Sequence, residues 1–554
     1  MGVRFTSLTL CSGIALAAAC GSGSPTTVTP TSCAAGAGTP ITLGVGAYTV
    51  VDPATDSGCV HFAANAGIDS TEYLVVAQSA AGTTGQSAPF SLKGGAAAVA
   101  ASLVAGANPP ANRSPIAVQF DWTLRQMART GNYPAVPAAL QAAAPARVIT
   151  AAPPTPPTVG SVRVFKVCSN LACSALKNVA AKARVVGLHI AVYVDTLAPA
   201  AGLDSAELDS LKQVFDTRLY PLDTTAFGGV SDIDNNSVVI VLMTGVVNSL
   251  VTRTQCEKNG FVAGFFAAGD LNPPTASQFN DGEIFYSVVA DPDSTLSCPH
   301  TAGQLDVLTP VTFVHEFQHM ISFVQHVLVR GGAPEEGWLD EGLSKYAEEL
   351  AGRSYLPGNP QQFSNYLIGD LYDAYQYLNA PSASPLLIPE DNGTLADIGA
   401  SWLFTRYIVD QFGDSLPHRL HTTTLVGSAN VAAQTGQPFT TTVTRWALAN
   451  WVSDLPGFTA PSELQYTSWH FRTSTYPSLN SQDPGDFPLT YPLVPTPSGG
   501  ATVSVSGTLT SGSGAYVRLF QPPQGAAFSL HFTKDGATAL PAALTPRLDI
   551  IRIR

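Results

Sequence analysis

The chain has 554 residues, a formal net charge of −13, and hydrophobic and charged fractions of 45% and 12%. That length exceeds one ordinary core and calls for several folding units. The acidic balance excludes nucleic acid as a partner, because nothing here would neutralise a row of phosphates. The low share of charge, made up by Ala, Gly, Pro, Ser and Thr, suits β-rich extracellular domains better than a helical cytosolic enzyme.

At the N-terminus a short positive start, Met1 to Arg4, precedes the apolar run Phe5 to Ala19. This reads as a secretory signal at 1–19, too short to span a bilayer as a mature helix. The run Leu16-Ala17-Ala18-Ala19-Cys20 resembles a bacterial lipobox, although its leucine stands one place early. Acylated Cys20 would then be the only attachment to a membrane, and the protein is expected as an exported lipoprotein of the cell envelope. Of eight cysteines, Cys11 leaves with the signal and Cys20 takes lipid. The even remainder suggests disulfides, and sequence neighbours give Cys33–Cys59, Cys168–Cys173 and Cys256–Cys298.

Residues 20–40 form a Ser/Thr/Pro/Gly tether. From 41 to 125, short alternating runs such as Glu72-Tyr73-Leu74-Val75-Val76 between Gly and Ser turns predict an N-terminal β-domain. The Ala/Pro-rich stretch 126–159 reads as a linker. Strands are expected at Val162–Val167, Ile190–Val194, Val238–Leu242 and Ile284–Val289, and a helix from Asp204 with Glu207 completing a capping box. The final segment, 485–554, returns to short strands and predicts a separate C-terminal β-domain. Asp232-Ile233-Asp234-Asn235 has the look of a calcium loop, but Ser237 replaces the glycine and Met243 the final glutamate, so a turn is expected.

The chemistry lies in Val314-His315-Glu316-Phe317-Gln318-His319. Thr309 and Pro310 suit the cap and first turn of a helix. On that helix His315 and His319 project from one face and can share a metal. Glu316, about 100° around the axis, can address water beside the metal without ligating it. This is the HExxH arrangement of zinc peptidases. A third histidine in metzincin fashion fails: Ser322 and Gln325 stand where that pattern needs Gly and His. His326 lies about 10 Å along the axis from His319, so it reads as a surface or packing histidine.

The second helix of the pair is expected around Trp338–Leu350, after the turn Gly331-Gly332-Ala333-Pro334. A glutamate near its start can face the histidines, giving a two-His, one-Glu zinc site. Glu341 is the expected ligand, with Asp340 and Glu348 as alternatives; Glu348, about two turns on, could instead support the site from behind. Tyr407, Tyr346, His418 and His421 are unranked candidates for steadying the oxyanion. Ile284–Val289 is a candidate edge for an extended peptide to pair with.

From about Val162 to Gly413 the chain resembles the hyicolysin-type neutral metallopeptidases of the gluzincin clan. The similar segments are Ala191-Val192-Tyr193-Val194-Asp195, Ser231 to Asn235, Gly282-Glu283-Ile284-Phe285-Tyr286, His315 to Met320 and Trp338 to Leu343. The resemblance implies a zincin fold with His315, His319 and Glu341 as zinc ligands and Glu316 as the catalytic residue. Lys345 departs from thermolysin, which has an aspartate behind its histidines at that place, so what orients the histidines is left open.

The expected whole is multidomain: an α+β zincin (thermolysin-like) core at 160–480 flanked by N-terminal and C-terminal β-sandwich-like domains. The expected activity is zinc-dependent cleavage of proteins or peptides by a monomer, with Glu316 moving the protons. The competing expectations are a non-catalytic cell-surface binding module with a degenerate peptidase core, and a different metallo-hydrolase on the same scaffold.

Overall fold

The computed structural model describes residues 33, 38–55, 57–95, 116–133, 155–272, 279–389 and 393–554. The signal, Cys20 and nearly all of the tether lie outside the described residues, as does most of the linker. The protein is multidomain and α+β, with three sheets among the described residues.

Five strands come first: β1 (Thr39–Ile41), β2 (Tyr48–Val51), β3 (Cys59–Phe62), β4 (Thr71–Ser79) and β5 (Ser87–Gly94). Five come last: β12 (Thr496–Gly499), β13 (Ser504–Thr510), β14 (Gly514–Gln521), β15 (Phe528–Thr533) and β16 (Pro546–Arg552). They do not form two domains. They interleave in two five-stranded sheets, ordered β1-β3-β15-β5-β13 and β12-β14-β4-β16-β2. The two share one core, in which Val75 and Ala77 of β4 meet Leu92, Val517, Leu530 and Ile550. All nine residues of β4 are buried between β14 and β16, which is why its apolar run is nearly continuous. The expectation of separate β-domains at 41–125 and 485–554 is therefore corrected: each half carries strands whose partners lie in the other.

The central sheet has six strands: β6 (Val162–Cys168), β7 (Leu176–Val186), β8 (Ile190–Asp195), β9 (Val239–Met243), β10 (Gly264–Phe266) and β11 (Ile284–Ser287). Their order is β10-β11-β9-β8-β7-β6. The apolar β9 runs parallel to both its neighbours and is buried throughout, as strands covered on both faces are. β11 is interior, so the expected peptide-pairing edge moves one strand outward to β10, which lies antiparallel to β11.

Helix α1 (Ile116–Thr130) runs across the boundary expected between the N-terminal β-domain and the linker. Four shorter helices follow: α2 (Ser205–Val214), α3 (Tyr220–Phe227), α4 (Gly245–Asn248) and α5 (Arg253–Asn259). α2 carries the expected Asp204–Glu207 capping box. The helical half is built on α6 (Ala302–Phe323), α7 (Gly337–Arg353), α8 (Pro360–Asn379) and α9 (Leu395–Phe412). α6 begins at Thr301, not Thr309. Thr301 caps Gln304 and Gln304 reaches back to it, so the first turn forms early and Pro310 falls inside the helix.

The cysteines pair as Cys33–Cys59, Cys168–Cys173 and Cys256–Cys298. No helix among the described residues is long and apolar enough to cross a membrane.

Candidate metal centre

α6 continues past Phe323 as a π-helical turn, Val324–Val329, and the chain reverses at Gly331 with φ of 67°. α7 then returns with its first turns against the middle of α6. This brings together His315, His319 and Glu341, whose ligand atoms form one compact group. His315 Nε2 and His319 Nε2 are 3.2 Å apart. Glu341 Oε2 is 3.6 Å from His315 Nε2, and Oε1 is 3.5 Å from His319 Nε2. A tetrahedral zinc with bonds of about 2.0–2.1 Å separates its ligand atoms by roughly 3.3–3.4 Å. The two Nε2 atoms and the Glu341 carboxylate, with one oxygen toward each histidine, thus lie at spacings close to those a tetrahedral zinc requires.

The donor chemistry fits as well. Glu341 is buried and its Oε1 has no hydrogen-bond partner. Such an atom is costly unless a cation or donor is meant to meet it. Each histidine turns Nε2 inward because its Nδ1–H donates to a carboxylate behind it: His315 to Glu348 Oε1 at 2.7 Å, His319 to Asp340 Oδ2 at 2.9 Å. Asp340 and Glu348, the alternative ligands in the sequence, are therefore the orienting groups, an arrangement common behind metal-bound histidines. Lys345 backs Glu348 at 3.3 Å and Asp370 at 3.0 Å. The carboxylate that orients His315 thus comes from Glu348, three residues after Lys345 on the same helix.

Charge is divided accordingly. Burial would raise Asp340, but the His319 charge and its hydrogen bond hold it well below the usual carboxylate range. Glu341, likewise opposed by burial, is brought down to about 2 chiefly by the His319 ring beside it. Burial and Arg125 work against a charge on His319, yet Asp340 and Glu341 outweigh them and lift it to about 10. Glu316 moves the other way: burial, then the nearby Asp121, raise it against the pull of Arg125. The two glutamates are thus driven apart, one toward a permanent anion and one toward a group able to exchange a proton.

Around these residues is a cavity of about 300 Å³ whose lining includes Gly264, Phe265, His315, Glu316, Glu341 and Leu395. The edge strand β10 forms one wall, and its Phe266 N–H donates to Glu316 Oε2 at 3.0 Å. α1 contributes Phe120, Asp121 and Trp122 to the lining. Arg125 Nη2 lies 3.0 Å from Glu316 Oε2. Nothing in the Ala/Pro composition of this region announced the helix's place. The one available signal was Asp121 and Arg125 spaced four apart on one face of an apolar stretch.

The other candidates fall elsewhere. None of Tyr346, Tyr407, His418 and His421 lines the cavity among the described residues. Tyr407 donates to the Glu463 carbonyl, and His421 meets Gln318. His326 is a buried packing residue, 3.8 Å from Glu335 and outside the ligand group. The Asp232–Asn235 segment forms a turn whose Asp232 Oδ1 accepts from the amides of Asn236 and Ser237, and Glu283 joins Asp232 and Asp234 there in a second acidic group. No family model and no curated protein matches the chain.

Proposed function

We propose that the protein is a zinc-dependent peptidase of the gluzincin kind, similar to the hyicolysin-type enzymes, with His315, His319 and Glu341 as the metal ligands. The observation that carries this reading is the convergence of the two Nε2 atoms, 3.2 Å apart, on the Glu341 carboxylate, whose two oxygens lie 3.5 and 3.6 Å from one histidine each, beside the buried Glu316. A zinc ion held there supplies Lewis acidity toward a carbonyl and toward water.

The chain's own residues do the rest. Glu316 takes a proton from the attacking water and passes it to the leaving amine, a role favoured by its raised affinity for protons. β10, the outermost strand of its sheet, offers an edge to an extended peptide once α1 is withdrawn, aligning a scissile bond over Glu316. Asp340 and Glu348, by accepting from Nδ1, hold both rings rotated with Nε2 toward the metal position. The fold that delivers these groups is the zincin arrangement of a mixed sheet above paired helices. Export through the signal at 1–19, with lipid on Cys20, completes the proposal and puts the site among extracytoplasmic proteins as substrates.

The test is hydrolysis of an unstructured protein such as casein. The expected result is cleavage abolished by chelation and lost in Glu316→Gln at unchanged zinc content. Zinc bound without cleavage, by wild type or by a chain whose Asp121 is replaced, contradicts the reading and favours a binding module.

A further inference from the structure

We infer that α1 is a built-in inhibitory segment, with Asp121 placed to take the metal's remaining position and Arg125 to silence Glu316. The inference rests on the zinc-peptidase reading and concerns the regulation of that same site.

Three independent contacts make α1 a plug rather than a neighbour. First, a carboxylate oxygen of Asp121 groups with donor atoms of Glu316 and His319, all within 4.8 Å of one another. Asp121 also lines the same cavity as His315 and Glu341. Second, Arg125 bridges Asp121 at 2.7 Å and Glu316 at 3.0 Å, with both the Arg125 and Glu316 side chains under one-tenth exposed. Glu316 Oε2 is thereby taken up by Arg125 and by the Phe266 N–H, and that oxygen is not open to an attacking water. Third, Phe120 packs edge-on against Phe265 of β10 with ring centroids 5.0 Å apart. That covers the strand to which a peptide would pair.

The cleft is also shaped to receive the helix. A Cβ at Gly337, the first residue of α7, would collide with the Trp122 ring, and so would one at Gly393. Glycine at both places opens a slot for this indole, which is 5% exposed. Yet α1 is joined to the rest through Ala- and Pro-rich sequence on both sides, and a helix of 15 residues is marginal by itself. Outside the cleft it would unfold, so withdrawal gains chain entropy and the blocked state is held only by these contacts.

The full-length protein, freed of metal and loaded with cobalt(II), tests this beside Asp121→Ala and Arg125→Gln. Cobalt's visible spectrum reports the ligand set without requiring turnover. The expected result is a changed spectrum in Asp121→Ala and casein hydrolysis raised in both variants by roughly 100-fold, the share of rate a general base supplies. Arg125→Gln keeps the test open if Asp121→Ala does not fold. Identical spectra with equal rates in all three proteins overturn the inference and leave the peptidase reading standing. A changed spectrum with no cleavage by any of them supports Asp121 as a ligand and removes the peptidase reading. Cobalt bound by none of them overturns both.

Discussion

Asp340 and Glu341 are adjacent in sequence and do different work because a helix turns about 100° per residue. Glu341 faces the Nε2 atoms of both histidines, while Asp340 reaches the Nδ1 of His319. The shared face of His315 and His319 was legible because i and i+4 lie together on a helix, and a third ligand was then sought first on the same helix and, that failing, on the next. Which acid would ligate and which would orient depends on the rotation of α7 against α6, and no residue pattern reports that. The division predicts graded effects. Asp340→Asn and Glu348→Gln should each weaken zinc binding by about 10–100-fold, measured by competition with a chromogenic chelator. Asp340→Asn should cost more, because the His319 side chain has 0% exposure and the His315 side chain 15%, leaving water less able to replace the lost partner. Equal and negligible effects would show that the carboxylates do not hold the rings.

Among the elements, α7 depends on how closely it approaches α9. A Cβ on Gly342 would fall 2.6 Å from the Ser401 carbonyl oxygen of α9, so only glycine permits this crossing next to Glu341. Gly342→Ala should lower stability by about 1–3 kcal/mol in denaturant unfolding and weaken zinc binding by rotating Glu341 away. Unchanged stability and affinity would show that α7 has slack at this point. Helix start signals were partly readable: the Thr301–Gln304 box was in plain view but stood upstream of the more conspicuous Thr309-Pro310 pair. The buried strand β9 was found from its continuous β-branched run, and β11 was expected within Ile284–Val289. That β10 lies outside β11 was not legible, because Gly264-Phe265-Phe266 is too short to show a period.

At the scale of the molecule, the strands of 39–94 and 496–552 are interleaved, and α1 crosses into the cleft of the helical half. Both are pairings between residues far apart in sequence. Alternation and turn residues identify a strand but carry no record of its partner, which is why two β-domains were expected. The same burial leaves a mark on pH dependence. Asp270, buried and bonded to Tyr286 and Asn280, is raised to about 7 by loss of solvent. The folded state keeps a proton that the unfolded chain releases near pH 4, so this group's contribution to stability falls as pH rises from about 4 to 7. The thermal midpoint of wild type should therefore drop more steeply across that window than that of Asp270→Asn. Parallel slopes would mean Asp270 is ionised throughout.

The claim on which the account turns is that α6 and α7 together hold one zinc. It is tested most directly by the metal content of the full-length protein after equilibration with zinc and desalting, beside His319→Ala and Glu341→Ala. The account predicts about one zinc per chain in wild type, as one set of two His and one Glu requires, and far less in either variant. Zinc absent from wild type, or retained equally by both variants, would contradict it.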